Sequence, residues 1–445
     1  MESKRKALNP ARALALGFIG IILVGSLLLM LPQASQEAEL SYIDALFTAT
    51  SAVCVTGLVV VDTGTFYTPL GQAIIMVLIF SGSLGIMTMT TLIFIFLGRR
   101  VSLRERIVVK EALNQESMAG IIPLVKVVIR IALLFILIGT ALLSIRFIPE
   151  HGHSTGVFIA LFHAVSAFGN AGFDLFGNYD SLTRFPTDYL VNGVIVTLFI
   201  IGGLGFTVIL ELGRFILHRA RFSLQGKLVL IISLILLTSG TFIIFLLEYN
   251  NPETMGELTV GAKLFTAFFT SATARTAGFS VLDTGALSYS SLLILMGLMF
   301  IGASPTSTGG GVKTTTFGVV SFTLVSMIRG RLEPVIFQRR FPAYHIMKAI
   351  SIISASIALI FLSTFALTVF EGQSFSDMFF EAISAFGTVG LSTGITPGLS
   401  TPSKIAMVIT MFCGRVGPVT LLVALAQKKP KDTAIQYPEE NLMIG

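Results

Sequence analysis

The sequence predicts an all-α integral membrane protein: four pseudo-symmetric helix–pore loop–helix repeats around a central pore, with eight transmembrane helices. Three observations predict it. Hydrophobic residues make up 53% of the 445 residues and charged residues 12%, with a mean hydropathy of +0.86. A soluble domain ordinarily carries about 25% charged residues, so this chain lacks the polar surface to cover itself in water. Eight apolar runs are each long enough to span a bilayer, which takes about 20 residues. A short motif recurs four times at a spacing that nearly fills the chain.

The motif is Ser-Ala, a short variable stretch, then Gly-Leu or Gly-Phe. Its copies are Ser51 to Leu58, Ser166 to Phe173, Ser271 to Phe279 (one residue longer) and Ser384 to Leu391. The final glycines, Gly57, Gly172, Gly278 and Gly390, lie 115, 106 and 112 residues apart. A fixed period decides architecture before any local reading does. It divides the chain into repeats at 1–110, 111–225, 226–340 and 341–445.

The eight spans are expected near 11–31, 69–97, 121–146, 188–217, 227–247, 288–328, 343–370 and 402–426. The first follows Lys4, Arg5, Lys6 and Arg12 and is too long for a signal-peptide core, so it reads as retained. Within each pair a short helix is expected just before the motif, at 41–52, 156–168, 258–273 and 374–386. That length is too short to span and suits a re-entrant helix.

Charge sets direction. Basic residues gather in Arg99 to Lys110, Arg214 to Lys227, Arg329 to Lys348 and the tail, with Glu37, Asp62, Asp174, Asp283 and Asp377 among the acids opposite. Positively charged loops stay cytoplasmic. Both termini are therefore expected in the cytoplasm, in a multi-pass protein of the cell membrane, with every motif loop facing outward. The net charge of +6 thus reports topology, and no nucleic-acid partner is implied. Cys54 and Cys413 have no metal-ligand or disulfide spacing. No His, Asp, Glu or Cys cluster recurs with acid–base spacing, so neither an enzyme nor a transition metal is expected.

Non-helical backbone at membrane depth must be buried in protein or line a watery cavity. Four glycine loops at equivalent depth therefore predict a shared ion pathway. The short helices enter from outside, so four carboxyl ends bring partial negative charge to the centre, where a cation is favoured. The expected ion-binding residues are Cys54, Val55, Thr56 and Gly57; Gly169, Asn170, Ala171 and Gly172; Arg275, Thr276, Ala277 and Gly278; and Gly387, Thr388, Val389 and Gly390. Rings of main-chain carbonyls can replace an ion's hydration water.

The second helices repeat as well. Gly82, Gly202, Gly302 and Gly414 follow the motif glycines by 25, 30, 24 and 24 residues. In the third repeat the pattern gives way to a Gly-, Ser- and Thr-rich insert over 302–316, and only this span is expected to break. The insert hints at a phosphate loop but lacks the Gly-Lys-Ser/Thr order. It reads instead as a movable plug beneath the loops, with Gly302, Ser304, Pro305, Thr306, Gly309, Gly310, Gly311, Lys313, Thr314 and Arg415 as gate residues. An ionisable residue inside a span signals function. Arg415 is expected to oppose cation exit or to anchor the plug. Arg275 is expected to anchor behind its loop, with Glu381 as a candidate acid. His163 holds the place matching Glu381 and is expected to serve packing.

Four helix–loop–helix units, one glycine per loop, Ala-Arg-Thr-Ala-Gly-Phe over 274–279 and the Gly/Ser/Thr break resemble the Trk/Ktr/HKT superfamily of potassium transporters. The match runs over essentially the whole chain and is nearest to the membrane subunits of bacterial Ktr systems, which lack two amino-terminal spans of the Trk type. The resemblance implies potassium uptake driven by membrane potential, K+ held at the four-loop filter, and Gly57 as a mark of potassium over sodium preference. It implies that 302–316 is an intramembrane gating loop contacted by Arg415. It further implies a homodimer with a pore in each protomer and a separate cytoplasmic ring of RCK-type regulatory subunits that carries adenine nucleotide. Na+ is implied as an activator. The chain itself is expected to hold no cofactor.

Overall fold

The structure is a computed structural model that describes residues 10–36, 40–85, 121–331 and 334–425. The basic stretch Arg99 to Lys110, Glu37 and the tail beyond 425 lie outside the described residues. So does the second half of the expected 69–97 span.

The first unit comprises α1 (Pro10–Leu29), the short α2 (Tyr42–Val53), a helical turn α3 (Thr63–Phe66) and α4 (Pro69–Ser83). The second has α5 (Ile121–His151), α6 (His153–Gly169), α7 (Tyr189–Leu204) and α8 (Phe206–His218). The third has α9 (Leu224–Glu248), α10 (Val260–Thr273), α11 (Tyr289–Phe300) and α12 (Thr314–Ile328). A two-stranded hairpin, β1 (Val335–Ile336) and β2 (Arg339–Arg340), leads to the fourth: α13 (Ala343–Phe370), α14 (Phe375–Gly387), α15 (Thr401–Val416) and α16 (Pro418–Leu425).

Local chemistry starts these helices where they start. Ser41, Thr259 and Ser374 accept from backbone N–H groups of Asp44, Ala262 and Asp377, capping α2, α10 and α14. Thr68, Asp188 and Ser288 do the same for α4, α7 and α11. Each such cap stabilises a helix by about 1 kcal/mol.

Among the described residues, α1, α5, α9 and α13 are long and apolar enough to cross a membrane. Each hydrophobic run is apolar on nearly every side, and α1, α5 and α9 each have only a third of their most apolar stretch buried within the chain. The remaining surface is left for lipid, consistent with a multi-pass membrane protein. The second helices differ from the expected spans. The run 188–217 is bent by 102° at Gly205, where φ is +90°. The run 402–426 is interrupted at Gly417, with φ +93° and Pro418 following. The run 288–328 is two helices joined by non-helical 301–313. The expectation of a single broken span is therefore corrected. A glycine at positive φ cannot continue a right-handed helix, and proline at the next position lacks the N–H that would continue the ladder.

The units close into a ring. α4 packs on α6, α7 on α10 and α11 on α14, and α15 returns to α2. The closing joint carries an ion pair, Lys404 Nζ to Asp44 Oδ1 at 2.7 Å. The joint between units two and three is aromatic, with Phe199 and Phe269 rings edge to face at 5.6 Å.

Candidate ion pathway and the plug beneath it

The four motif loops leave the carboxyl ends of the short helices in one conformation. The residue two before each glycine is left-handed: Val55 (φ +51°), Asn170 (+57°), Thr276 (+72°) and Thr388 (+51°). The glycines follow at +91°, +69°, +81° and +96°. A β-branched residue at positive φ is a rare outlier. Such strain costs about 1–3 kcal/mol and persists where the surroundings over-determine it. Its recurrence in Val55, Thr276 and Thr388 marks a backbone held for a purpose.

The motif serine supplies part of that hold. Ser51 Oγ accepts from Gly57 N at 3.0 Å, and Ser384 Oγ from Gly390 N at 3.1 Å. Ser166 Oγ donates to Phe173 O at 2.7 Å. In the longer third copy Thr273 takes the serine's place, donating to Phe279 O at 2.7 Å, while Ser271 turns to Leu237 O. One inserted residue thus moved the anchor by two positions and left the loop intact.

The glycines meet as a closed ring. A methyl built on Gly57 would strike Ala171 O at 2.5 Å, and one on Gly172 would strike Gly278 Cα at 2.8 Å and Ala277 O at 2.9 Å. A methyl on Gly278 would overlap Val389 O, and one on Gly390 would overlap Thr56 O. Each loop therefore abuts the next, in order, and the fourth abuts the first. Carbonyls of Thr56, Ala171, Ala277 and Val389 lie in the same layer.

The glycines of the second helices explain how the short helices reach so far in. Gly82 lies against Val53 O, Gly202 against Phe168 O and Gly414 against Phe386 O, each too close for a side chain. Gly302 is the exception, facing Gly310 O of the interrupting segment.

That segment sits directly beneath the loops. Thr308 Oγ1 donates to Asn170 Oδ1 at 2.9 Å, and Gly310 N to Thr388 Oγ1 at 2.9 Å. Gly309 packs against Thr276 Oγ1. Asn170, Thr276 and Thr388, the left-handed residues of loops two to four, thus turn their side chains onto the segment. Asn170 Nδ2 also donates to Thr276 Oγ1 at 3.3 Å. From the side, Ser304 N and Thr308 N donate to Gly203 O and Gly202 O at 3.1 and 3.3 Å. Thr306 bonds Thr207, and Thr314 bonds Ser304. Pro305 O fills the space beside Gly205, and Gly311 N reaches Gly414 O at 3.3 Å.

Two basic side chains hold the segment's carbonyls. Lys313 Nζ donates to Gly309 O at 2.6 Å. Arg415 donates to Thr308 O and, through its other terminal nitrogen, to Gly82 O at 2.5 Å and Ser83 O at 3.4 Å. One guanidinium from the fourth unit therefore ties the third unit's segment to the first unit's helix.

Arg275 does not reach Glu381, the acid considered as its partner. Its guanidinium donates to Ser233 Oγ at 3.0 Å and Ser233 O at 3.4 Å, on α9. Glu381 is engaged elsewhere, accepting from Ser392 Oγ at 2.5 Å, Thr393 N at 3.2 Å and Thr396 Oγ1 at 2.9 Å. The two belong to different units, and Glu381 is consumed by its own loop. His163, three residues before its motif serine like Glu381, likewise holds its own loop. Its Nε2 accepts from Leu175 N at 3.4 Å while Nδ1–H donates to Ile159 O at 2.8 Å. Leu175 and Thr393 each lie three residues beyond their glycine. The match of the two positions is visible in the sequence; their shared role as acceptors for the loop N–H is not. Cys54 and Cys413 are both free thiols.

On the other side of the ring, a cavity of about 30 Å³ is lined by Gly57, Gly172, Asp62, Asp174 and Tyr179. Asp62 is held by the N–H groups of Thr65 and Tyr179, both at 2.8 Å. Burial pushes the Asp174 carboxyl up to about 7, against the Phe176 N–H bond that favours its charge. Among the described residues no group of three or more His, Cys, Asp or Glu is placed to hold a metal ion.

Comparison with known proteins assigns the chain to a family. The family model described as TrkH, cation transport protein, matches residues 11–437. The chain is 45% identical to the Ktr system potassium uptake protein B of Bacillus subtilis, over 98% of this chain and 97% of that protein. It is 44% identical to the protein of the same name from Vibrio alginolyticus, over 100% and 96%, and 39% identical to the potassium/sodium uptake protein NtpJ of Enterococcus hirae, over 99% and 98%. The crystal structure of the potassium transporter TrkH from Vibrio parahaemolyticus shares the fold, with a TM-score of 0.77 at 17% identity over 96% of this chain and 86% of that one. These relatives are named as transport proteins and not as enzymes. Its matched length and its identity to these relatives together make this chain a member of the TrkH family of cation transport proteins.

Proposed function

We propose that the chain is the pore-forming subunit of a Ktr-type potassium uptake system, and that K+ crosses the cell membrane through the ring of Gly57, Gly172, Gly278 and Gly390. The observation that carries this is the ring's closure, each motif loop abutting the next through a glycine and a neighbouring carbonyl. An ion there trades hydration water for main-chain oxygens already fixed in place. The four short helices aim their carboxyl ends at the same point and add partial negative charge. One glycine per loop leaves a short filter, so discrimination against Na+ rests on few sites.

The segment 302–316 is the gate, and this conformation is its shut form. Its atoms pack against the loops from below, and the basic side chains of Lys313 and Arg415 lie among them. Opening requires the bonds from Asn170, Thr388 and Arg415 to release together. The relatives' names add that the subunit works within a Ktr system and that Na+ is linked to uptake. A homodimer, cytoplasmic termini and a separate nucleotide-carrying RCK-type ring complete the proposal.

Alternating access is less well supported. Such carriers use inverted repeats with matched broken helices around a midplane site. Here the units run in parallel around one axis, although three second helices are interrupted. The test is K+ uptake into proteoliposomes at a fixed membrane potential with no other ion gradient. Deleting 304–308 should raise that uptake. Absence of uptake without an imposed Na+ or proton gradient would refute the channel-like reading.

A further inference from the structure

The proposed pathway makes no use of the shelf at the far end of units two and three. α8 turns 102° away from α7. If α7 crosses a bilayer, α8 runs roughly parallel to the bilayer plane, away from the segment at which it begins. The last turn of α8 carries Ile216 and Leu217 at 69% and 77% exposure, beside the exposed Arg214. The chain then folds back: Phe215 packs on Phe222 at 5.0 Å, and Glu211 accepts from Ser223 N at 3.1 Å. Arg219, Arg221 and Lys227 are exposed on this turn. The β1–β2 hairpin completes the shelf. Ile336 packs on Leu228 and Ile232, and Lys227 Nζ lies over the Phe337 ring at 5.6 Å. Arg339 and the half-exposed Phe337 therefore stand beside the α8–α9 turn.

We propose that this shelf is a docking surface for the anionic phospholipid headgroups of the leaflet on that side. Aliphatic and aromatic side chains interleaved with guanidinium groups on a helix lying in the surface plane match an acyl–headgroup boundary. Each basic group near a phosphate-rich surface adds roughly a fivefold preference. In α8 and the turn that follows it the one acid is Glu211, already hydrogen-bonded to the Ser223 N–H. The occupant matters for the plug, because α8 begins at it: Phe206 N donates to Thr306 O at 3.1 Å.

The chain contains no tryptophan, so a single introduced indole reports on the shelf alone. Leu217→Trp, as the full-length protein in phosphatidylcholine vesicles containing phosphatidylglycerol, should be quenched more strongly when the bromine is carried on phosphatidylglycerol than on phosphatidylcholine. Adding Arg219→Gln and Arg221→Gln should cut that preference roughly tenfold or more and leave quenching by brominated phosphatidylcholine unchanged. Equal quenching by both lipids, or a preference that survives the arginine changes, would overturn the proposal. So would an unquenched indole shielded only by added cytoplasmic subunits, which would make the shelf a protein interface. Phe337→Trp repeats the measurement from the hairpin if Leu217→Trp does not reconstitute.

Discussion

The second helices of units one and three start from the same design and end differently. In unit one, Gly82 lets the carbonyl of Val53 approach the helix, so the short helix seats deeply and its loop is fixed. In unit three the matching Gly302 faces Gly310 O, within its own chain break. One glycine holds a motif loop in place; the other accommodates a segment that packs against the loops. Four-fold repetition builds the ring, and departure from it in one unit builds the segment proposed as the gate.

The largest expected effect comes from breaking the ring itself. Gly390→Ala forces a methyl onto Thr56 O at a φ of +96°, and an L-residue there costs about 1–2 kcal/mol before any clash. Uptake should fall roughly a hundredfold, equivalent to about 2.7 kcal/mol, measured as 86Rb+ flux. Gly297→Ala, on α11 with nothing within 4 Å of its added methyl, is the control and should transport normally.

Next is Arg415→Gln, which removes charge-assisted bonds to Thr308, Gly82 and Ser83. A hydrogen bond to a charged group contributes about 1.5–3 kcal/mol, so release of the plug should raise flux roughly tenfold. Lower flux would mean that the arginine supports the open form.

The two helix glycines separate selectivity from rate. Gly82→Ala should displace α2 and reduce K+ over Na+ discrimination severalfold. Gly302→Ala should change the rate and leave discrimination alone. Equal effects on both parameters would erase the distinction drawn between the units.

The smallest effect concerns pH. With its carboxyl pushed up to about 7, Asp174 is neutral below that pH and charged above it. The cation attraction it contributes near Gly57 and Gly172 is therefore present above about pH 7 and lost as the pH on that face falls. Uptake at low K+ should rise about twofold across this window, and Asp174→Asn should flatten the rise. A raised carboxyl pKa means ionisation costs folding stability at higher pH, so the Asn variant should be at least as stable at about pH 8.

Much of this was legible because the repeat writes it four times. The loops sit where Ser-Ala…Gly recurs, and the short helices begin at Ser41, Thr259 and Ser374, which advertise themselves as caps. The interruption at 301–313 was legible from Gly302, Pro305 and the glycine run. The breaks at Gly205 and Gly417 were not, since a glycine within an apolar run reads equally as a packing site. At Gly205 a side chain is excluded by Pro305 O, a contact between units that no local pattern encodes. Arg275 misled for a similar reason: its partners are the hydroxyl and carbonyl of Ser233 on α9, while the candidate acid on the fourth short helix, Glu381, is held by its own loop. The shift of the anchor from Ser271 to Thr273 likewise required three-dimensional register.

The most direct measurement compares K+ and Na+ uptake by Gly57→Ser and the unaltered protein in the same vesicles, with the amount of folded protein matched. Gly57 contributes to the ring at φ +91°, and a Cβ there meets Ala171 O at 2.5 Å. If the ring selects the ion, the K+ to Na+ ratio should fall toward one while Na+ uptake persists. An unchanged ratio with active protein would contradict the account.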